Sequence, residues 1–378
     1  MTDLGTPTTH GKRRKKSAVP RWARLCTIFG TVLMLLSGVV LVGFEVLLSR
    51  YQGAVASADL FGDEGPGTPP PKVSDIKGPV NILLVGIDPR QPSTPPLADS
   101  IMILHVPAGM DRAYLFSLPR DLRVDIPAFP KANYAGGNDR LNAAMSHGSL
   151  VPGKNPDAAK GFELLQTTIS NYTGIKRFDA GAILNFGGFK KIVDAMGGVD
   201  MYIDADTKSE HLQPDGTPRP GNPNGEGYIG PQREYKKGQA HLNGWQALDY
   251  VRQRKTLVDG DYGRQRHQQQ FIRAMASQAL SRDVVTNPLK LDAVLRAAGQ
   301  SLIFSGRGHS VADWAFALRD LRSDSMTLIK LPHAALGSSS NYQGEQLKAP
   351  APDFFASVQA DTLDTFVAAH PELINTDK

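Results

Sequence analysis

Apolar runs of strand length alternate with segments of helical periodicity along this 378-residue chain, and that alternation predicts an α/β fold. The runs at 81–87 (NILLVGI), 100–106 (SIMILHV) and 113–118 (AYLFSL) are continuously apolar, as strands covered on both faces are. Phe162, Leu165 and Ile169 recur at helical spacing ahead of the stop signal Gly174, which places helices between the later strands. Together these features predict a single α/β/α sandwich domain with a mixed central sheet, preceded by one transmembrane helix.

The N-terminal part is set by charge and hydropathy. Residues 1–24 hold seven of the 42 basic residues and one of the 37 acidic ones, which leaves 35 basic and 36 acidic residues for the rest. The net charge of +5 therefore belongs to the tail. A nearly neutral body predicts no nucleic-acid partner. The stretch 25–44, LCTIFGTVLMLLSGVVLVGF, carries no charge, and about 20 apolar residues suffice to cross a bilayer core. The basic run before it and Glu45 after it orient the N-terminus to the cytoplasm and the body outside. A cleaved signal peptide competes with this reading. The apolar run exceeds a usual signal core, however, and only a weak small-residue pattern at 54–58 follows it.

The expected layout is a cytoplasmic basic tail (1–24), a transmembrane anchor (25–48), an extended linker (49–79) and an extracytoplasmic domain (80–378), a single-pass protein of the cell membrane. Gly and Pro, including Pro69-Pro70-Pro71, argue for the linker. The basic tail also suits anionic lipid headgroups. Cys26 is the only cysteine, so the body has no disulfide or thiolate metal site and rests on a packed core.

Along the body, a turn at Gly109–Asp111 joins two of the opening strands as hairpin neighbours, and 123–126 reads as a short strand. Helices are expected at 139–147 and 157–172, a strand at 178–185, a helix at 189–196 closed by Gly197-Gly198, and a strand at 199–203. Residues 205–230 are rich in Pro and Gly without periodicity, the pattern of a long surface loop over or beside a site. A helix-like pattern runs from Leu242 through Ala247, Leu248 and Val251. Further helices are expected at 264–281 and 286–303, the first capped by Asp259 or Asp261. A last strand at 325–331 precedes an extended segment and a helix near 361–369.

Candidate chemistry gathers at strand ends. The strand at 81–87 ends in Asp88-Pro89-Arg90, the next opens with Asp99-Ser100, and the third ends in Pro119-Arg120-Asp121, with Arg140 and Asn142 further on. Ligands of α/β sheets usually bind at such ends. Two aspartates without Cys or His suit a hard cation such as Mg²⁺; taken alone, they equally suit turn-capping residues. The stretch 250–271, YVRQRKTLVDGDYGRQRHQQQF, adds Arg252, Arg254, Arg264 and Arg266. Arg264, His267, Gln268 and Phe271 share a helical face, whereas Arg266 points off it and reads as ordinary surface. Guanidiniums and amides converging from two arms fit a pyrophosphate. A solvated basic helix face is the plainer alternative.

The order of these blocks carries more than any one of them. NILLVGIDPR, ADSIMILHV, FSLPRDLRVDIP, RLNAA, NFGGFKKIVDAMGGVDM, HLNGWQALDYVRQR and DYGRQRHQQQF follow one another, and the body from 81 to 331 resembles the LytR-CpsA-Psr family of cell-envelope proteins. The resemblance implies one α/β domain that transfers a glycopolymer from a polyprenyl-pyrophosphate-linked donor to peptidoglycan through a phosphodiester, with release of polyprenyl phosphate.

It implies Mg²⁺, with Mn²⁺ as a possible substitute, at Asp88 and Asp99. It further implies catalytic roles for Asp99, Arg120, Arg252 and Arg254, and pyrophosphate contacts from Arg90, Arg120, Arg140, Arg252, Arg254, Arg264 and Gln268. The implied partners are the polyprenyl-linked donor and the peptidoglycan acceptor. An apolar groove for the lipid is implied as well, with the helices at 157–172 and 186–196 as candidate walls; Phe162, Leu165, Phe189 and Val193 read alone as ordinary core. Ala98, Arg140 and His267 stand where the family often has Arg, Lys and Arg. The acceptor's base would be an aspartate, Asp99 or Asp121. Two other classes compete: a non-catalytic, membrane-anchored envelope-binding or regulatory protein, and a polyprenyl-pyrophosphate hydrolase.

Overall fold

The structure, a computed structural model, describes residues 56–62, 76–89, 91–279, 288–299, 301–338 and 340–376. The expected basic tail and membrane anchor lie outside the described residues, among which no helix is long and apolar enough to cross a membrane. The described residues belong to one compact unit.

Strand β1 (Ala56–Ser57) is followed by β2 (Val80–Ile87), β3 (Ala98–Val106), β4 (Ala113–Ser117) and a hairpin of β5 (Arg123–Ile126) and β6 (Gly137–Arg140). Helices α1 (Leu141–Ser149) and α2 (Ala158–Thr173) lead to β7 (Ala180–Asn185), α3 (Phe186–Ala195) and β8 (Val199–Ile203). The short strands β9 (Thr207–Lys208) and β10 (Glu234–Tyr235) pair at the base of a long loop, and β11 (Gly238–Leu242) pairs with β8. Next come α4 (Gly244–Arg252), α5 (Asp261–Ala279), α6 (Pro288–Gly299), β12 (Leu302–Ser305), α7 (Val311–Ala317) and β13 (Met326–Ile329). A hairpin of β14 (His333–Leu336) and β15 (Gly344–Leu347) precedes α8 (Ala351–Gln359) and α9 (Leu363–Ala369).

Seven strands build the central sheet in the order β1-β12-β7-β2-β3-β4-β13. Pairs β2–β3, β3–β4 and β12–β7 are antiparallel, while β2–β7, β4–β13 and β1–β12 are parallel, so the sheet is mixed as expected. Both of its faces are apolar because both are covered. On one, Leu83, Val85, Ile101, Ile103 and Phe116 pack with Phe162 and Leu165 of α2 and Phe354 of α8. On the other, Ile82, Met102, Leu104, Leu115 and Leu328 pack with Trp314 of α7. A third cluster joins α3, α4, α5, β8 and β11 through Phe189, Val193, Met201, Tyr250 and Phe271.

Several boundaries differ from the sequence reading. The helix expected at 139–147 begins at Leu141, since residues 137–140 pair with β5. The helix expected over 286–303 stops at Gly299, and Leu302, Ile303 and Phe304 instead extend the sheet beside β7. Helices α7 and α8 appear where none was expected. Part of the expected linker belongs to the domain: β1 pairs with β12, and Leu60 and Phe61 are buried, Phe61 edge-on to Phe162 at 5.8 Å. Apolar burial holds that segment against the sheet. Phe162, Leu165, Phe189 and Val193 are core residues, so they offer no open groove wall.

Candidate functional site: an arginine–aspartate pocket

The site begins with a distortion of the sheet. The β2–β3 register shifts between Gly86 and Ile87, and such an irregularity re-aims the chain that follows. Gly86 leaves room for its neighbours, since a Cβ there would stand 3.1 Å from Ser100 Cβ and 3.2 Å from Phe186 Cε1. Asp88 emerges just beyond, beside Asp99 and Ser100 of β3. Both aspartates line a cavity of about 760 Å³ together with Arg120, Arg252, Arg264 and Gln268. Six of the residues proposed from sequence thus meet in one pocket, although they lie up to 180 positions apart.

Each guanidinium there has a carboxylate. Arg120, in the turn after β4, donates to Asp99 Oδ1 at 2.6 Å and stands 3.6 Å from Asp121. Arg252 closes α4 and donates to Asp88 Oδ2 at 2.9 Å, its guanidinium 5.3 Å from the Phe186 ring centroid. Arg264, on the first turn of α5, meets Asp261 at 2.6 Å and is nearly buried. Gln268 follows one turn later, accepting from Ser100 Oγ at 2.9 Å.

Arg254 and Arg140 stand behind this lining. Arg254 shares Asp261 with Arg264, at 3.6 Å, and Arg140 pairs with Asp121 at 3.5 Å. Neither is among the residues that line the cavity. Arg90 lies outside the described residues.

The electrostatics follow from burial. Burial opposes the charge on Arg120, but Asp121 and Asp99 outweigh it and hold that guanidinium firmly protonated. Burial likewise pushes Asp261 up, and Arg264, Gln265 and Arg254 bring it below the usual carboxylate range. At Arg264 the balance goes the other way. Burial depresses its pKa, Asp261 and Asp99 recover only part, and the like charges of Arg120 and Arg254 add to the depression. Arg264 therefore carries positive charge that the protein alone does not fully compensate, and a nearby anion would relieve it.

His267, expected on the face of Arg264 and Gln268, turns away from the pocket. It is wholly buried, stacks on Tyr250 at 4.1 Å and pairs through Nε2 with Asp204 Oδ1 at 3.1 Å. Arg266 also differs from expectation. It is no ordinary surface residue, because Asp204 and Asp259 both pair with it and its side chain is only 21 % exposed. Burial would raise the Asp204 carboxyl, yet His267 and Arg266 hold it far below the usual carboxylate range. This bracket fixes α5 to β8 and thereby aims Arg264 and Gln268. The sequence reading named Asp261 only as a helix cap and missed Asp204, Phe186, Lys190 and Trp245, of which the last three line the cavity. Asp204 at a strand end and Asp261 at a helix start were the available signals.

Fold and site define an α/β protein with an arginine–aspartate pocket at the ends of its central strands. The LytR_cpsA_psr family model matches residues 47–351, and the chain belongs to that family. The polyisoprenyl-teichoic acid–peptidoglycan teichoic acid transferase TagV of Bacillus subtilis (strain 168) is 28% identical over 229 residues, which are 60% of this chain and 49% of TagV. The cell wall biosynthesis protein LcpA of Corynebacterium glutamicum is 28% identical over 342 residues, 83% of this chain and 62% of LcpA. The chain thus spans about half of the one and under two thirds of the other. The crystal structure of B. subtilis TagV, 23% identical, shares the fold with a TM-score of 0.54 over 76% of this chain and 98% of that one.

Proposed function

We propose that the protein is a phosphotransferase that attaches a glycopolymer, carried on polyprenyl pyrophosphate, to peptidoglycan through a phosphodiester and releases polyprenyl phosphate. The observation that carries this reading is the one pocket that Arg120, Arg252, Arg264, Asp88 and Asp99 line together. The names of the relatives agree, one a teichoic acid transferase to peptidoglycan and another a cell wall biosynthesis protein. An uncleaved anchor at 25–48 would keep the domain at the outer membrane surface, where both a lipid-linked donor and peptidoglycan are within reach.

Phosphoryl transfer asks a protein mainly for positioning and charge neutralisation. The acceptor hydroxyl oxygen bonds to the sugar-proximal phosphorus, and the bond from that phosphorus to the bridging oxygen breaks. The electron pair leaves with polyprenyl phosphate, whose growing charge Arg120, Arg252 and Arg264 stabilise. Arg254 and Arg140 support them through Asp261 and Asp121. The hydroxyl proton passes to a carboxylate; Asp99 lines the pocket and Asp121 does not, which favours Asp99.

Among the described residues no group of three or more His, Cys, Asp or Glu could hold a metal by itself. Asp88 and Asp99 therefore fit Mg²⁺, or Mn²⁺ in its place, only as part of a set completed by phosphate oxygens and water. Bound there, the cation would supply Lewis-acid charge neutralisation and free Arg120 and Arg252 from their carboxylates. Binding without catalysis would not need two carboxylates among phosphate-facing arginines.

The test is reconstitution of the full-length protein with a defined lipid-linked donor and peptidoglycan, with and without Mg²⁺. Polymer bound covalently to peptidoglycan is the expected result. Release of free polymer phosphate alone, in the presence of peptidoglycan, would mean that water is the acceptor and the protein a hydrolase.

A further inference from the structure

Beyond the guanidiniums, the cavity is walled by Trp245, His211 and Leu212 with Asp249 and Gln253. This wall comes from the loop between β9 and β10 and from the helix α4, and it is a built surface. Ser209 Oγ, Tyr235 Oη and Gln253 Nε2 all donate to the Asp249 carboxylate, at 2.9, 2.8 and 2.8 Å. Gln253 Oε1 accepts from the Glu210 amide at 2.8 Å. Arg219 donates to three backbone carbonyls, those of Glu210 at 2.7 Å and of Tyr228 and Gly230 at 3.1 Å each, which closes the loop on itself. Gly216, at φ +87, lies against the indole so tightly that a Cβ would stand 3.0 Å from Trp245 Cε2. His211 in turn packs on Tyr228 with ring centroids 5.1 Å apart.

The wall presents the Trp245 indole and the His211 imidazole, with Asp249 and Gln253 buried behind them and bonded to Ser209, Tyr235 and the Glu210 amide, and it adjoins the pocket's arginines. A sugar ring presents the matching chemistry, since its C–H faces are apolar and its hydroxyls both donate and accept hydrogen bonds. A lipid chain would gain nothing from the polar edges of the two rings.

We propose that Trp245 and His211 seat the sugar ring next to the transferred phosphate and are specificity-determining residues, held in place by the Arg219-closed loop. This inference rests on the polyprenyl-pyrophosphate reading of the pocket. The ring belongs to the donor or to the acceptor, and the two sources are separable by experiment.

The experiment measures binding to the full-length protein in detergent, with three probes. They are a short-chain polyprenyl pyrophosphate, the same lipid bearing N-acetylglucosamine on its terminal phosphate, and a soluble muropeptide. The expected result is that Trp245→Ala weakens a sugar-bearing probe about tenfold, the scale of one aromatic stacking contact, and leaves the sugar-free lipid unchanged. Trp245→Phe recovers most of the loss, and His211→Ala shows the same selectivity. Loss confined to the lipid-linked sugar identifies the donor ring, and loss confined to the muropeptide identifies the acceptor ring. Equal loss for the sugar-free lipid overturns the proposal, because the wall then holds the lipid. So does unchanged binding of both sugar probes in His211→Ala and in a folded Trp245→Ala. If Trp245→Ala does not fold, His211→Ala decides by the same criteria. Failure of the wild-type protein to bind the sugar-free pyrophosphate is a different result, and it overturns the donor reading itself.

Discussion

Replacing Arg252 by alanine should separate catalysis from stability. Its side chain is 46% exposed, that of its partner Asp88 is 33% exposed, and both line the cavity. An ion pair so open to water contributes at most about 1 kcal/mol to folding. For a domain of this size that corresponds to a shift in Tm of about 2–4 °C or less. A donor to the charge developing in a transition state is worth far more, about 3 kcal/mol, or on the order of a hundredfold in rate. Arg252→Ala is therefore expected to melt close to wild type while transferring glycan on the order of a hundredfold more slowly. Arg252→Lys should recover only part of the rate, since an ammonium cannot replace the planar fork. The assay is transfer from a lipid-linked donor to peptidoglycan, run beside a thermal melt of the same preparation. Wild-type transfer by a folded Arg252→Ala, or a loss of activity that merely follows unfolding, would refute the reasoning.

Two further outcomes follow from the packing. Asp204→Ala removes the carboxylate that holds Arg266 and the buried His267, and breaking such a pair should cost about 3–5 kcal/mol in denaturant unfolding; a loss below about 1 kcal/mol would contradict the bracket. His105 is wholly buried, and burial lowers its pKa from 6.5 despite the nearby Asp361 and Asp364. The unfolded chain then takes up a proton that the folded one resists, so His105 contributes stability that is full above pH 6.5 and is lost as pH falls through its depressed folded value. His105→Gln should flatten the pH dependence of Tm in that window, and an unchanged slope would count against it.

Much of the site was legible because its residues sit at punctuation points of the chain. Asp88 and Arg120 end apolar runs, Asp99 opens one, and Arg252 and Arg264 flank a turn-rich break. What periodicity could not supply was partnership across long separations. Asp204 lies 63 residues before His267 and claims it from the pocket face, so helical spacing alone placed His267 wrongly. The loop after β9 has no period at all, since its order comes from Arg219 bonding to backbone carbonyls. The apolar run at 302–304 fitted a helix as well as a strand until β7 supplied a partner.

The central claim concerns the bond that is made. Full-length protein, donor with a labelled sugar-proximal phosphate, peptidoglycan and Mg²⁺ should yield label in a phosphodiester to peptidoglycan, with one polyprenyl phosphate released for each polymer attached. Label found only on free polymer phosphate, or no polyprenyl phosphate released, would contradict it.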